Sequence, residues 1–471
     1  KIVKKINIKK NNLNKKKINY LFNSSILNQI IKNKKFYKFD GIALDSRDVK
    51  KDNLFLAIKG KINDGNKFIF KALKKGAGFI VSSQTKKNYK KKILKIDNEI
   101  NFLNNFARLK RDNCNAKIIA ITGSAGKTSL KNLLNKLLNR FGETFASPRS
   151  FNNHFGVPIS LSNLKISHKY GVFEVGMSKA GEINKLSKLI RPSIGIITNI
   201  GEAHIENFNH IKDIAKAKSE IIDNIEKNGS IVLNHDDRFF NYLNTIAKIK
   251  KIRVITFGKK KKSDVHLIKI KKLNNIDIIT INVKNVIVEV KAKNINVYNI
   301  LCSLAVLNEL GLNINKIIKI YKNLEPSNGR GKIHKIRRYK KSFRLIDESY
   351  NANPLSVKNA INNLKGIKKN KFKKYLLLGD MLELGKKSEF YHKNLSRLIN
   401  NSDIDKVFVK GEKTLFTYKN LKKEKRGNII QCDQDIDLIL KNIITNNDYL
   451  MIKGSNATGL KNISNSMIRE S

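Results

Sequence analysis

Residues 118–129 read IIAITGSAGKTS, an apolar run entering a glycine loop that ends Gly-Lys-Thr. Glycines let backbone N–H groups turn inward around phosphate oxygens. Lys127 would set a point charge against β- and γ-phosphates, and Thr128 would offer a hydroxyl to Mg²⁺. Leu130, Leu133, Leu134, Leu137 and Leu138 then recur at helical spacing. The loop residues Gly123, Ser124, Ala125, Gly126, Lys127, Thr128 and Ser129 therefore lie between a strand and a helix whose N-terminus faces the anion. The pattern is the compact G-x-x-G-K-T form; the longer G-x-x-x-x-G-K-[ST] form would need glycine where Ile121 stands.

Three further places carry groups suited to the same chemistry. Glu174 ends the apolar run YGVFEV, and ligands of parallel sheets gather at the carboxyl ends of strands. Alone, such a Glu is more often a cap; with a phosphate loop upstream it is placed to hold Mg²⁺, which takes a few hard oxygens plus phosphate and water. His204, in TNIGEAHIE after another buried run, reaches the same edge and is a second candidate metal ligand. Asp347 ends the first strand of a later α/β unit and opens DESYNANP. Asp347, Tyr350, Asn351 and Asn353 offer acceptors and donors for a ribose or phosphate before Pro354 starts a helix. Lys218, in AKAKSEI, reads from the residues alone as one more solvated lysine.

The elements that must position these groups alternate. Strands are expected at 54–58, 78–83, 170–175 and 194–200, with helices from about 67 and at 102–109, 181–190 and 211–225. Such βαβ units make a mainly parallel sheet. Residues 264–290 show short alternating strands and read as a β-meander insert, followed by a helix at 297–310. LEPSNGRGK (324–332) has linker composition. Strands then resume at 343–346, 375–378, 406–409 and 449–452. The expectation is an α/β chain of three domains, 1–112, 113–325 and 326–471.

Of the 471 residues, 95 are Lys or Arg and 38 are Asp or Glu, a formal charge of +57. Such an excess suits nucleic acid, but here the lysines are spread among Asn and Ile along the whole chain. We read them as solvated faces shaped by codon composition, with no specific nucleic-acid partner. Cys114, Cys302 and Cys432 are too scattered for a disulfide framework or a metal cluster. No stretch approaches the ~20 apolar residues of a membrane span. A cytoplasmic protein without membrane insertion is expected, working as a monomer.

Taken together the motifs resemble the Mur ligases of peptidoglycan synthesis over essentially the full length. The resemblance rests on ITGSAGKTS (121–129), SFNNHFGVP (150–158), FEVGMSKAGEI (173–183), TNIGEAHIENF (198–208), AKSEI (217–221), GRGK (329–332), DESYNANPLS (347–356) and LGDMLELG (378–385). It implies a small N-terminal domain binding a UDP-linked substrate, a central P-loop-type ATPase domain and a C-terminal Rossmann-like domain. DESYNANP implies D-alanyl-D-alanine and UDP-N-acetylmuramoyl-tripeptide as substrates. The sister enzymes that add diaminopimelate or lysine carry Asp-Asn-Pro-Arg, which is absent.

The implied chemistry is phosphorylation of a carboxylate by ATP, then attack by an amine on the acyl phosphate. The resemblance implies that Lys127, His204 and Lys218 are catalytic, with Lys218 carbamylated by CO₂. It implies Mg²⁺ on Thr128, Glu174 and His204, and nucleotide contacts from Asn299, Arg330 and Asp347. Ser46 and Arg47 match the uridine side, and Asn152 and Asn153 a loop near the muramoyl-peptide. Two places depart from the family. Lys293, Asn294, Ile295 and Asn296 stand where Gly-x-His-Asn is usual nearby, and Asn456 stands where Arg is usual. Alternatives are another Mur-type or folylpolyglutamate-type ligase, or a nucleic-acid-stimulated P-loop NTPase. The last explains neither Glu174 with His204 nor DESYNANP.

Overall fold

The computed structural model describes residues 15–469 except 61–62, 85–88, 90–91, 274–275 and 369–370. Three sheets divide the chain. The first is wholly parallel: β1 (Gly41–Ala43), β2 (Asn53–Leu56), β3 (Phe79–Ser82) and β4 (Ile93–Lys95), in that order.

The second sheet has nine strands. They are β5 (Lys117–Thr122), β6 (Thr144–Ala146), β7 (Tyr170–Glu174), β8 (Ile194–Ile197), β9 (Ser230–Asn234), β10 (Arg253–Gly258), β11 (Val265–Leu273), β12 (Ile276–Val283) and β13 (Val286–Ala292). Their spatial order is β13-β12-β11-β10-β9-β8-β5-β7-β6. β5 therefore lies between β7 and β8, paired in parallel with both. Its neighbours run to opposite sides in the strand order, and such a switch point opens a crevice at the carboxyl ends.

β5 is a continuous apolar run because it is covered on both faces: Ile118, Ile119, Ala120 and Ile121 are fully buried. The helix Lys127–Leu138 follows and lays Leu130, Leu134, Leu137 and Leu138 into one core cluster with Ile119 and Ile121. A fully buried leucine contributes roughly 1.5–3 kcal/mol by leaving water, so the loop between strand and helix is held from both ends.

The third sheet contains β14 (Lys332–Arg338), β15 (Lys341–Glu348), β16 (Lys374–Gly379), β17 (Lys406–Lys410), β18 (Arg426–Ile429) and β19 (Tyr449–Lys453). Their order is β14-β15-β19-β16-β17-β18, parallel except for the β14–β15 hairpin.

Three expectations need correction. The residues 264–290 do form the antiparallel meander expected, but it is joined to the central sheet: Val265 and His266 pair in parallel with Phe257 and Gly258, so β11–β13 extend that sheet and cover the edge of β10. The helix expected over 211–225 stops at Ser219. Glu220 turns aside there and accepts from the Gly181 and Asn184 N–H groups, capping the helix Glu182–Ile190, and a 3₁₀ turn Ile222–Asn224 follows. Asp347 lies near the end of the second strand of its sheet, because β14 precedes it. Among the described residues no helix is long and apolar enough to cross a membrane.

Candidate active site

Three adjacent strands deliver the middle-domain residues to one place. The glycine loop follows β5, Glu174 ends β7, and residues 198–204 follow β8. Gly123 has φ +143, and a Cβ there would come 1.9 Å from Thr198 Oγ1; Gly126 has φ +85. The loop is braced from β8's side. Ser124 N–H donates to the Asn199 carbonyl (3.0 Å), Ala125 N–H to Asn199 Oδ1 (2.8 Å), and Thr198 Oγ1 to the Ala125 carbonyl (2.7 Å). Lys127 Nζ donates to the Gly123 carbonyl at 2.7 Å. Burial lowers its pKa, opposed first by Glu174.

Glu174 is 2 % exposed and engaged on both oxygens. Thr128 Oγ1 donates to Oε2 (2.7 Å), and Asn152 Nδ2 to Oε1 (2.8 Å). Lys131, itself buried, brings Nζ to 3.8 Å of Oε2 and also donates to the Arg149 carbonyl. A hydroxyl and a carboxylate oxygen thus meet beside a phosphate loop, a donor set of the hard-oxygen kind that Mg²⁺ takes. Among the described residues no group of three His, Cys, Asp or Glu is arranged to hold a metal ion by itself, so phosphate and water would complete the shell.

His204 is left-handed at φ 57. Its Nδ1 is buried without an aligned hydrogen bond, although Glu383 Oε2 of the third domain lies 2.8 Å away. With Nδ1 set beside a carboxylate, Nε2 is the ring nitrogen that would be left for a metal. Contact with His204 holds the Glu383 carboxyl below its ordinary pKa, against the cost of burial, with a smaller pull from Lys127. Lys218 is 2 % exposed, and its Nζ has no hydrogen-bond or ion-pair partner among the described residues. Burial, then repulsion from Lys127, pushes its pKa well down. It is not part of the cavity lining.

The third domain closes the site with loops after β15, β19 and β16. Tyr350 Oη donates to Ser150 Oγ (2.8 Å), which is 3.5 Å from Thr128 Oγ1. Asn353 Nδ2 donates to the Ser124 carbonyl (3.2 Å). The Arg330 guanidinium stacks 4.1 Å over the Tyr350 ring. Between the domains lies a cavity of ≈ 2580 Å³, lined by Lys127, Thr128, Glu174, His204, Asn299 and Arg330 among others. A single small-molecule site spans about 300–1,000 Å³, so this space has room for several substrates together.

Other expected site residues are disposed differently. Asp347 is 1 % exposed and does not line the cavity. It accepts from Gly329 N–H (2.5 Å) and Ser349 Oγ (2.6 Å), which fixes the loop presenting Arg330. Asn153 lines the cavity beside Asn152, and its Oδ1 accepts from Gly156 N–H (2.9 Å) at the start of the helix Gly156–Ser162. Asn351 lines the cavity, and its carbonyl accepts from buried Lys453 (2.6 Å). Lys293, Asn294, Ile295 and Asn296, the departing segment, line it too. Ser46 and Arg47 lie outside this cavity, with Arg47 paired to Asp45 at 2.6 Å. Sequence reasoning missed Lys131, Ser150, Asn199 and Glu383. Of these, Lys131 was findable, one helical turn beyond Lys127.

Comparison with known families agrees with this geometry. Residues 38–111 match the model described as Mur ligase family, catalytic domain; residues 121–307 match the Mur ligase middle domain; residues 332–456 match Mur ligase, glutamate ligase domain. The chain belongs to the Mur ligase family. It is 34% identical over 427 residues to UDP-N-acetylmuramoyl-tripeptide--D-alanyl-D-alanine ligase of Rickettsia prowazekii, covering 90% of this chain and 94% of that protein. The Bacillus subtilis enzyme of the same name is 27% identical over 435 residues, covering 91% and 93%. Among solved structures, MurF from Acinetobacter baumannii superposes with TM-score 0.81 at 26% identity, covering 95% of this chain and 98% of that one. MurF ligase from Thermotoga maritima in complex with ADP gives 0.79 at 26%, covering 93% and 99%.

Proposed function

We propose that this Mur ligase joins D-alanyl-D-alanine to UDP-N-acetylmuramoyl-tripeptide, cleaving ATP to ADP and phosphate. The observation that carries the reading is the Thr128–Glu174 pair beside the braced glycine loop, facing a cavity closed by Tyr350, Asn353 and Arg330. Resemblance to enzymes of that name over nearly the whole chain supports the choice of substrates.

A carboxylate oxygen of the tripeptide attacks the γ-phosphorus, and the bond to the β–γ bridging oxygen breaks to release ADP. The neutral amine of the dipeptide then attacks the acyl carbon. The C–O bond to phosphate breaks, phosphate leaves, and the amine loses a proton. Phosphoryl transfer of this kind needs alignment and charge compensation more than covalent chemistry. Lys127, Arg330 and the N–H groups of residues 126–128 supply it, those of Ser124 and Ala125 being held by Asn199. Thr128 and Glu174 would hold Mg²⁺, with His204 on a second, and the metal's part is to neutralise the triphosphate against an approaching carboxylate. Asn299 faces the nucleotide, and Asp347 holds Arg330 in place.

A buried ammonium without a partner is costly, so burial favours the neutral amine of Lys218 over its charged form. That form adds CO₂ to give a carbamate and a proton, and the new anion turns repulsion from Lys127 into attraction. In this reading residues 1–112 bind the uridine end through Ser46 and Arg47, residues 113–325 bind ATP, and residues 326–471 bind the acceptor dipeptide. Asn152, Asn153, Tyr350 and Asn351 border the muramoyl-peptide. The test is phosphate release from ATP with the UDP-linked tripeptide, with and without D-alanyl-D-alanine. Release requiring both, with a pentapeptide product by mass, is the expected result. Turnover that ignores both and responds to DNA or RNA would overturn it.

A further inference from the structure

His204 and Glu383 face each other across the boundary between the second and third sheets' domains, 2.8 Å apart at Nδ1 and Oε2. Both are non-glycine residues in the left-handed region, at φ 57 and φ 63. Strained backbone of this kind persists only where its surroundings hold it, and it collects at functional contacts. Here both sides are held. Within the third domain, Met381 N–H donates to His392 Nε2 and Leu382 N–H to Ser455 Oγ, each at 3.0 Å. Across the boundary, Glu206 N–H donates to the Glu383 carbonyl (3.3 Å), and Lys387 Nζ donates to the Asn209 carbonyl (2.6 Å). Gly385, at φ +52, packs so tightly that a Cβ would come 2.9 Å from Glu206 Cβ.

We infer that Glu383 is a positioning residue of the closed molecule: its carboxylate takes hold of His204 and latches the third domain against the phosphate site. The loop's other contacts are made by backbone or by the flexible Lys387, so they cannot select closure in response to the state of the site. Glu383 can, because it grips a residue that lines the cavity beside Lys127. The inference rests on the proposed need for third-domain residues in catalysis, but its structural arm is independent of the substrates.

Glu383→Gln, Glu383→Gly and Glu383→Asp separate the latch from a merely structural loop. Glycine suits the left-handed backbone and removes the carboxylate, so it preserves the fold where the charge alone matters. With a non-hydrolysable ATP analogue, small-angle scattering should show wild type compact and both Gln and Gly variants more extended, with Asp between them. In the ligase assay the dipeptide KM should rise about two- to five-fold, the range a partly exposed polar contact supports, while the KM for ATP stays within about two-fold. A Gly variant as compact and as active as wild type would overturn the latch, as would a Gln variant unchanged in both measurements. If the enzyme proves to join other substrates, the scattering result still decides the inference.

Discussion

The phosphate site and the domain boundary are built in opposite ways. Glu174, Thr128 and Lys131 belong to one sheet and its following helix, are almost wholly buried, and already touch one another. The boundary contacts come from separate domains, and the side chains of His204 and Glu383 are 26% and 48% exposed. Buried groups with fixed partners need no rearrangement before charge develops on a phosphate. Half-exposed contacts between domains contribute little each and can be made and broken in a catalytic cycle. The difference teaches that the middle domain's phosphate-site groups are set in advance, whereas what the third domain adds, Arg330 included, depends on docking.

Replacing Lys127 by Ala should break the first region outright, lowering ADP formation on the order of 10²–10³-fold, as loss of a phosphate-site charge does. A fall of less than about ten-fold would mean the loop's N–H groups suffice. Lys218→Ala should also lower turnover sharply and be partly rescued by acetate or formate, which replace a missing carboxylate; unchanged turnover refutes the carbamate. Glu174→Gln should raise the Mg²⁺ concentration for half-maximal activity about 10- to 100-fold. At the boundary, Asn353→Ala loses two hydrogen bonds, one to the Ser124 carbonyl and one from the Ser356 N–H that caps the helix Pro354–Lys365; loss of the first should raise the acceptor KM about five-fold, near 1 kcal/mol, and loss of the cap should cost about 1 kcal/mol of stability. An effect as large as that of Lys127 would erase the contrast between the two regions.

Lys110 supplies the control for a buried lysine far from the cavity. Its Nζ donates to Asn23 Oδ1 (2.7 Å) and lies 4.3 Å over the Phe22 ring. Burial lowers its pKa from 10.5 to about 7. Between those values the unfolded chain holds one proton more than the folded chain, so folded stability gains as pH rises through this window and not below it. Relative to Lys110→Met, wild type should gain about 1.4 kcal/mol per pH unit from pH 7 towards 10, read by denaturant titration. A flat difference would mean the lysine stays charged in the fold.

The same contrast governs what could be read in the chain. Ile118 to Leu138 announce strand, loop and helix by local pattern, and Glu174 is found because parallel strands end together. Asn353 meets Ser124 over 229 positions of sequence, and no local periodicity marks that pair. Glu383 was visible only as part of LGDMLELG, with no signal of the histidine it would face. The helix over 211–225 was overextended because Ile221, Ile222 and Ile225 keep an apolar pattern after the hydrogen-bond ladder has ended, being buried by the turn instead. β11–β13 announced strands correctly, but alternation does not tell which edge a hairpin extends.

The central claim is that the tripeptide carboxylate is activated by ATP before it is joined. It is tested most directly by labelling both oxygens of that carboxylate with ¹⁸O and following phosphate by mass. The account predicts one labelled oxygen in each phosphate released, with the other retained in the new amide. Phosphate carrying no label, released together with a joined product, would contradict it.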